Sequence, residues 1–201
     1  MKRESNASLK NRGPILEVLR DVLSGGGDVF EIGSGFGVHA AFFTAELPGV
    51  RWQPSDHDAD DLVSAAAWAD ESEGRVLRPI RVDAFADPGA QGVPEAAFDL
   101  LVAINVVHIT PPEMVERLFV YGAHALRDGG EVFVYGPWRD DDRPFEPSNA
   151  QFEVWLKDRD PRNGIRRIQD ADAVAAQHGF TRVEDRPMPA NNRAIRWCLT
   201  R

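Results

Sequence analysis

The chain has 201 residues, 43% of them hydrophobic and 27% charged, and carries a net charge of −9. That balance suits one globular domain able to bury a core without a disulfide or a metal. A single cysteine, Cys198, excludes an intramolecular disulfide and a thiolate zinc cluster, the acidic balance opposes nucleic-acid binding, and no apolar run approaches the roughly 18 residues a membrane span needs.

The polar start, MKRESNASLK, lacks the apolar stretch of a secretory signal, so a cytoplasmic protein is expected. Residues 1–12 read as an arm. Pro14 opens a helical pattern with Ile15, Leu16, Val18, Leu19, Val22 and Leu23 on one face, ended by Gly25-Gly26-Gly27. Val29–Ile32 reads as a buried strand, then a glycine loop, a helix over about 38–47 and a second strand over 50–54. A helix over 58–70 starts with three carboxylates, which favour its N-terminal dipole. Strands follow at 76–82 and 98–105, a helix from Pro111-Pro112 to about Leu126, and a fifth strand at 131–135. Residues 136–148 read as irregular, with helices at about 148–157 and 169–178 and two closing strands at 180–188 and 194–199. Strand and helix alternate, which predicts an α/β fold on a mainly parallel sheet, with the short link between the last two strands implying an antiparallel edge hairpin.

The strongest local signal is Glu31-Ile32-Gly33-Ser34-Gly35-Phe36-Gly37, between the first strand and a helix. Glycines there let the backbone turn sharply and approach a ligand. The spacing is wrong for a dinucleotide fingerprint, because Val38 stands where the last glycine belongs. The compact E-x-G-x-G-x-G form resembles the first motif of class I S-adenosylmethionine (AdoMet) methyltransferases; the alternative is a tight strand-to-helix turn. Asp56, just past the second strand, is placed to accept hydrogen bonds from ribose hydroxyls, or else simply opens a helix. Asp83 and Ala84 follow the third strand, where methyltransferases meet the adenine. Asn105 ends the fourth strand, over the crevice where such sheets bind ligands. An Asp56/Asp58/Asp60 calcium loop fails for want of glycine at position six and glutamate at twelve, so no metal is expected.

His108 lies where an acceptor would bind and is a candidate general base, or a structural histidine; Tyr135 is a second candidate. Asn149, with Asn191, Asn192 and Arg193 between the last strands, could bind an acceptor's polar groups, the alternative being a hairpin turn. Lys157, Arg159, Arg162, Arg166 and Arg167 form a basic run that reads as a solvated face.

Segments NRGPILEVL (11–19), EIGSGFGVHAAFF (31–43), LPGVRWQPSD (47–56), INVVHI (104–109), YGPW (135–138), PSNAQF (147–152), RDPRNGIR (159–166) and MPANNR (188–193) together resemble the methyltransferase-like protein 26 group of AdoMet-dependent methyltransferase-like proteins. The resemblance covers nearly the whole chain. It implies a single domain over 1–201, a Rossmann-like α/β fold with a seven-stranded sheet in the order 3-2-1-4-5-7-6, strand 7 antiparallel, and helices on both faces. It implies AdoMet as methyl donor, S-adenosylhomocysteine as product, and the 1–12 arm folding over the cofactor site, with Asn11 and Arg12 toward the cofactor. Two departures stand out: the third-strand segment is VDAFADPG, and Phe36 occupies a position where a smaller residue is commoner. The expected partner is a small-molecule acceptor methylated at oxygen or nitrogen, without nucleic acid or membrane. Binding of AdoMet without transfer, and a macromolecular acceptor, are the alternatives.

Overall fold

The computed structural model describes residues 1–200. Helix α1 spans Asn6–Val22, so residues 6–12 belong to a helix and not to an arm. Ser5 caps it reciprocally with Ser8, a capping box that satisfies end donors. Pro14 sits inside this helix, where the sequence had suggested a start. The first turns are held by tertiary contacts instead: the Arg3 backbone N–H donates to Ser64 Oγ at 2.8 Å, and His39 Nε2 bonds Asn11 Oδ1 at 2.8 Å.

Strand β1 (Gly27–Ile32), helix α2 (Val38–Glu46), β2 (Val50–Asp56), α3 (Ala59–Ala69) and β3 (Ile80–Arg81) follow. Then come β4 (Phe98–Ile104), α4 (Met114–Ala125), β5 (Leu126–Arg139), α5 (Pro147–Arg159), β6 (Arg166–Arg167), α6 (Ile168–Gln177), β7 (Phe180–Met188) and β8 (Asn192–Leu199). The third strand is shorter than expected: only Ile80 and Arg81 pair with β2, and Val76 makes an isolated bridge to Trp52.

The sheet runs β3-β2-β1-β4-β5-β8-β7, with β6 paired to β5 off that path. With β6 set aside this is the expected 3-2-1-4-5-7-6 order. β8 lies antiparallel to β5 and β7; the other pairings are parallel. The eighth strand corrects the expected count of seven. It forms because β5 continues past Tyr135, where β4 ends, and Trp138 and Arg139 take Arg166 and Arg167 as partners. Residues 136–139 are therefore strand, not irregular chain.

Alternate residues of the central strands serve two cores, as a sheet covered on both faces requires. Phe30, Leu101 and Val132 pack with Leu118 and Phe119 of α4 and Ile168 of α6. Val29, Leu100, Val102 and Phe133 pack with Ile15 and Leu19 of α1 and Phe43 of α2. The parallel strands end together, which brings the loops after β1, β2, β3 and β4 to one rim. Ligands of open α/β sheets bind at that rim.

Candidate functional site

A cavity of about 620 Å³ opens at this rim. Of the residues expected to hold a cofactor, Gly33, Ser34, Gly35, Asp56, Asp83, Ala84 and Asn105 line it. Gly33 and Gly35 have φ of +74° and +51°. A Cβ on Gly33 would stand 2.7 Å from Val106 Cγ2, whereas one on Gly35 would meet no protein atom within 4 Å. The first glycine thus lets two loops close-pack; the second leaves its backbone open to the cavity. Gly37, with φ of +82°, does not line the cavity: it ends the turn at the N-cap of α2, with a Cβ there 2.7 Å from Ala65 Cα.

Asp56 is buried, and its Oδ2 accepts the Gly35 N–H at 2.9 Å while its Oδ1 accepts the Asp58 N–H at 3.0 Å. A carboxylate has acceptor sites beyond these two. Asp83 is fixed from both sides: its N–H donates to Gln91 Oε1 at 2.7 Å and its carbonyl accepts the Tyr121 hydroxyl at 3.0 Å. Asn105 adopts φ of +59° at the end of β4, a conformation rare outside glycine but easier for asparagine than for most side chains.

Glu31 does not reach the cavity. It lies 1% exposed beneath the glycine loop, with Oε2 accepting the Trp52 indole N–H at 2.9 Å and Oε1 without a partner. Burial pushes its carboxyl up to about 7, against the Trp52 and Ser34 hydrogen bonds that favour ionisation. Arg12 also lies elsewhere: its guanidinium stacks 4.6 Å from the centre of the Phe42 ring and lines neither cavity.

Ser5, Ala7 and Ser8 line the cavity, which puts the N-terminal region over it as expected, although through other residues than Arg12. Asp160, Arg162 and Asn163, before β6, form a wall that the sequence did not announce. The latter turn is fastened to the loop after β4: the Gly164 N–H donates to the His108 carbonyl at 3.0 Å, and Arg166 Nε donates to the Val107 carbonyl at 3.0 Å. Phe36 is also a wall, with the Arg3 guanidinium 4.3 Å from its ring centre. Four lining residues are aspartates, Asp56, Asp61, Asp83 and Asp160; Asp61 is paired with Arg3 and Asp160 with Arg162, which leaves Asp56 and Asp83 as the uncompensated charges. This field favours a cationic ligand and repels phosphate.

A second cavity, of about 550 Å³, adjoins the first; Ala7, Asn105 and Ile109 line both. His108, Tyr135, Asn149, Asn192 and Asn11 face this second space. His108 is 4% exposed and its Nδ1 has no partner. Burial, helped by the Arg166 charge, lowers its pKa to about 4, so the imidazole is neutral at pH 7. Burial raises Tyr135 above the ordinary phenol value. Asn191 and Arg193 are not among the lining residues. Asn191 donates to Ser148 Oγ. Arg193 is buried and paired with Asp185 and Asp140, so its charge is spent inside the fold and is not offered to an acceptor. Among the described residues no cluster of histidine, cysteine, aspartate or glutamate could hold a metal. Among the described residues no helix is long and apolar enough to cross a membrane.

A family model described as a protein of unknown function, DUF938, matches residues 2–198. The chain belongs to the DUF938 family. Solved structures place the fold of this DUF938 member among AdoMet-dependent methyltransferases. The methyltransferase SibL in its apo form aligns with a TM-score of 0.79 at 22% identity, over 96% of this chain and 56% of its own. An O-methyltransferase family protein from Burkholderia thailandensis aligns with 0.80 at 14% identity, over 97% and 58%. Human N-acetylserotonin methyltransferase, solved in complex with AdoMet, aligns with 0.76 at 19% identity, over 95% and 52%. The chain therefore spans little more than half the length of these structures, and the likeness is one of fold.

Proposed function

We propose that the chain binds AdoMet in the larger cavity and methylates an oxygen or nitrogen of a small molecule held in the smaller one. The observation that carries this reading is the junction of the two cavities at Ala7, Asn105 and Ile109, on the rim where the parallel strands end. A donor and an acceptor lodged there would meet at Asn105. The acidic lining supports a cationic adenosyl ligand over a nicotinamide dinucleotide, whose phosphates it would repel. The likeness to the methyltransferase-like protein 26 group supports the same reading.

When bound, AdoMet would supply an electrophilic methyl group on a positively charged sulfur. The chain's own residues bind and align. Asp56 is placed to accept ribose hydroxyls, Asp83 and Ala84 to flank the base, and the open backbone at Gly35 to face the amino-acid end. His108, as a neutral imidazole, can offer or accept one hydrogen bond to the acceptor. It is too weakly basic to draw a proton readily, so alignment rather than proton abstraction supplies the rate. We propose a cytoplasmic enzyme with a small-molecule partner and no nucleic acid.

A second reading is a protein that binds AdoMet or its product without transfer, since every residue placed toward the donor acts in binding. Calorimetric titration with AdoMet, S-adenosylhomocysteine and NADH tests both. Binding of the adenosyl ligands alone supports the shared cofactor assignment, and methyl incorporation into an added acceptor then selects the enzyme. Absence of binding by either adenosyl ligand overturns both readings.

A further inference from the structure

The second cavity differs from the first in both shape and charge. Helix α5 turns Phe152 and Trp155 toward it, with ring centres 5.5 Å apart and planes 22° from parallel. Trp155 is 45% exposed, so the fold does not use it as core. His108 meets the edge of Phe152 at 5.6 Å, closing the inner end of an aromatic wall. Such a wall favours a flat ring, which stacks at 4.5–7 Å in offset or edge-on geometry.

No carboxylate lines this space, and its one charged lining residue is Lys10. Lys10 makes no ion pair or hydrogen bond among the described residues. A second cation, stacked on the Trp155 end of the same wall, is in the same condition. Lys157 is paired with Glu153, Arg162 with Asp160, and Arg167 with Asp141 and Asp170, while Arg166 donates to backbone carbonyls. Among the described residues Arg159 alone of this basic run has no anion or carbonyl partner; its guanidinium lies 3.7 Å from the centre of the Trp155 ring. One face of the indole thus carries a stacked positive charge, and a cationic ligand would meet Lys10 on the lining and the Arg159 charge across Trp155.

We propose that the second cavity takes a planar aromatic acid, its ring edge-on to Phe152 and Trp155 and its carboxylate toward Lys10, with the Arg159 charge across Trp155 adding to the attraction. The inference rests on the methyl-transfer reading for the ligand's role as acceptor; the binding itself does not depend on it. Ring and carboxylate anchored at the entrance direct the remaining substituents inward, toward His108, Tyr135 and Asn105.

The test titrates the purified chain with 3-hydroxybenzoate, its uncharged analogue 3-hydroxybenzamide and the cation benzylamine, by calorimetry and by quenching of tryptophan fluorescence. The benzoate is expected to bind about tenfold more tightly than the benzamide, the scale of a charge-assisted hydrogen bond, with benzylamine weakest. Added salt should narrow the difference. Lys10→Ala and Arg159→Ala, both exposed positions, should each reduce the preference for benzoate and leave affinity for S-adenosylhomocysteine unchanged. Trp155→Phe should keep binding and lose most of the quench. Equal affinity for benzoate and benzamide, or no aromatic binding by a protein that binds S-adenosylhomocysteine, overturns the inference while the methyl-transfer reading stands. Benzoate binding by a protein that ignores both adenosyl ligands supports the aromatic-acid site and overturns the methyl-transfer reading.

Discussion

The Asp56 carboxylate accepts the Gly35 backbone N–H at 2.9 Å, so one side chain at the end of β2 holds the glycine loop at the end of β1. The same carboxylate faces the larger cavity. Asp56→Ala should therefore weaken S-adenosylhomocysteine binding by roughly ten- to hundredfold, the range of a lost hydrogen bond to a charged group. Calorimetry on a variant with unchanged circular dichroism measures this. Unaltered affinity would remove the ribose assignment.

Two glycines of the loop should respond differently to the same change. Gly37→Ala forces a side chain into φ of +82° and against the Ala65 backbone, so urea unfolding should show a loss of about 2 kcal/mol or more. Gly35→Ala has φ of +51° but open space around it. Its stability loss should stay near the ~1–2 kcal/mol cost of the left-handed backbone alone, while its methyl group intrudes on the ligand and depresses adenosyl binding.

Glu31 makes stability depend on pH. Its folded pKa of about 7 lies above the ordinary 4.5, so the folded chain holds a proton that the unfolded chain releases. That contribution is present in full below pH 4.5 and is lost as pH rises through 7, on the order of 3 kcal/mol at one unit per 1.36 kcal/mol. Melting temperatures across this window should decline with pH in the parent and less steeply in Glu31→Gln. Parallel curves for the two would show that Glu31 is ionised at neutral pH.

His108 shifts the other way. With a folded pKa of about 4 against 6.5, its contribution is complete above pH 6.5 and is lost as pH falls toward 4. Ring resonances followed by NMR should stay in the neutral form down to about pH 5. His108→Ala should slow any turnover and leave S-adenosylhomocysteine affinity within about twofold. A resonance titrating near 6.5 would restore His108 as a general base.

The alternation of strand and helix, the antiparallel edge hairpin and most helices were legible because apolar runs, turn residues and the glycine loop all stand in local sequence; the sheet order came only with the family resemblance. The start of α1 was not. Gly13 and Pro14 resemble breakers, and the Arg3–Ser64 and Asn11–His39 contacts that hold the helix join residues far apart in sequence. Strand β6 was hidden for the same reason: two residues form a strand only because Trp138 and Arg139 extend beyond β4. At the site, Gly33, Asp56, Asp83 and Asn105 could be read from their places at strand ends. Asp160, Arg162 and Asn163 could not, because that turn is brought to the cavity by the Gly164 N–H and the Arg166 guanidinium bonding the carbonyls of His108 and Val107, partners far away in sequence. Arg193 misled for the opposite reason: its type suggests anion binding, and only the fold reveals Asp185 and Asp140 already beside it.

The common wall of Ala7, Asn105 and Ile109 has a thermodynamic consequence. A ligand that orders these three residues in one cavity prepares them for the other, so the second ligand meets part of its entropic cost already met. By linkage the effect is mutual: whatever factor the first ligand adds to the affinity of the second, the second must add to the first.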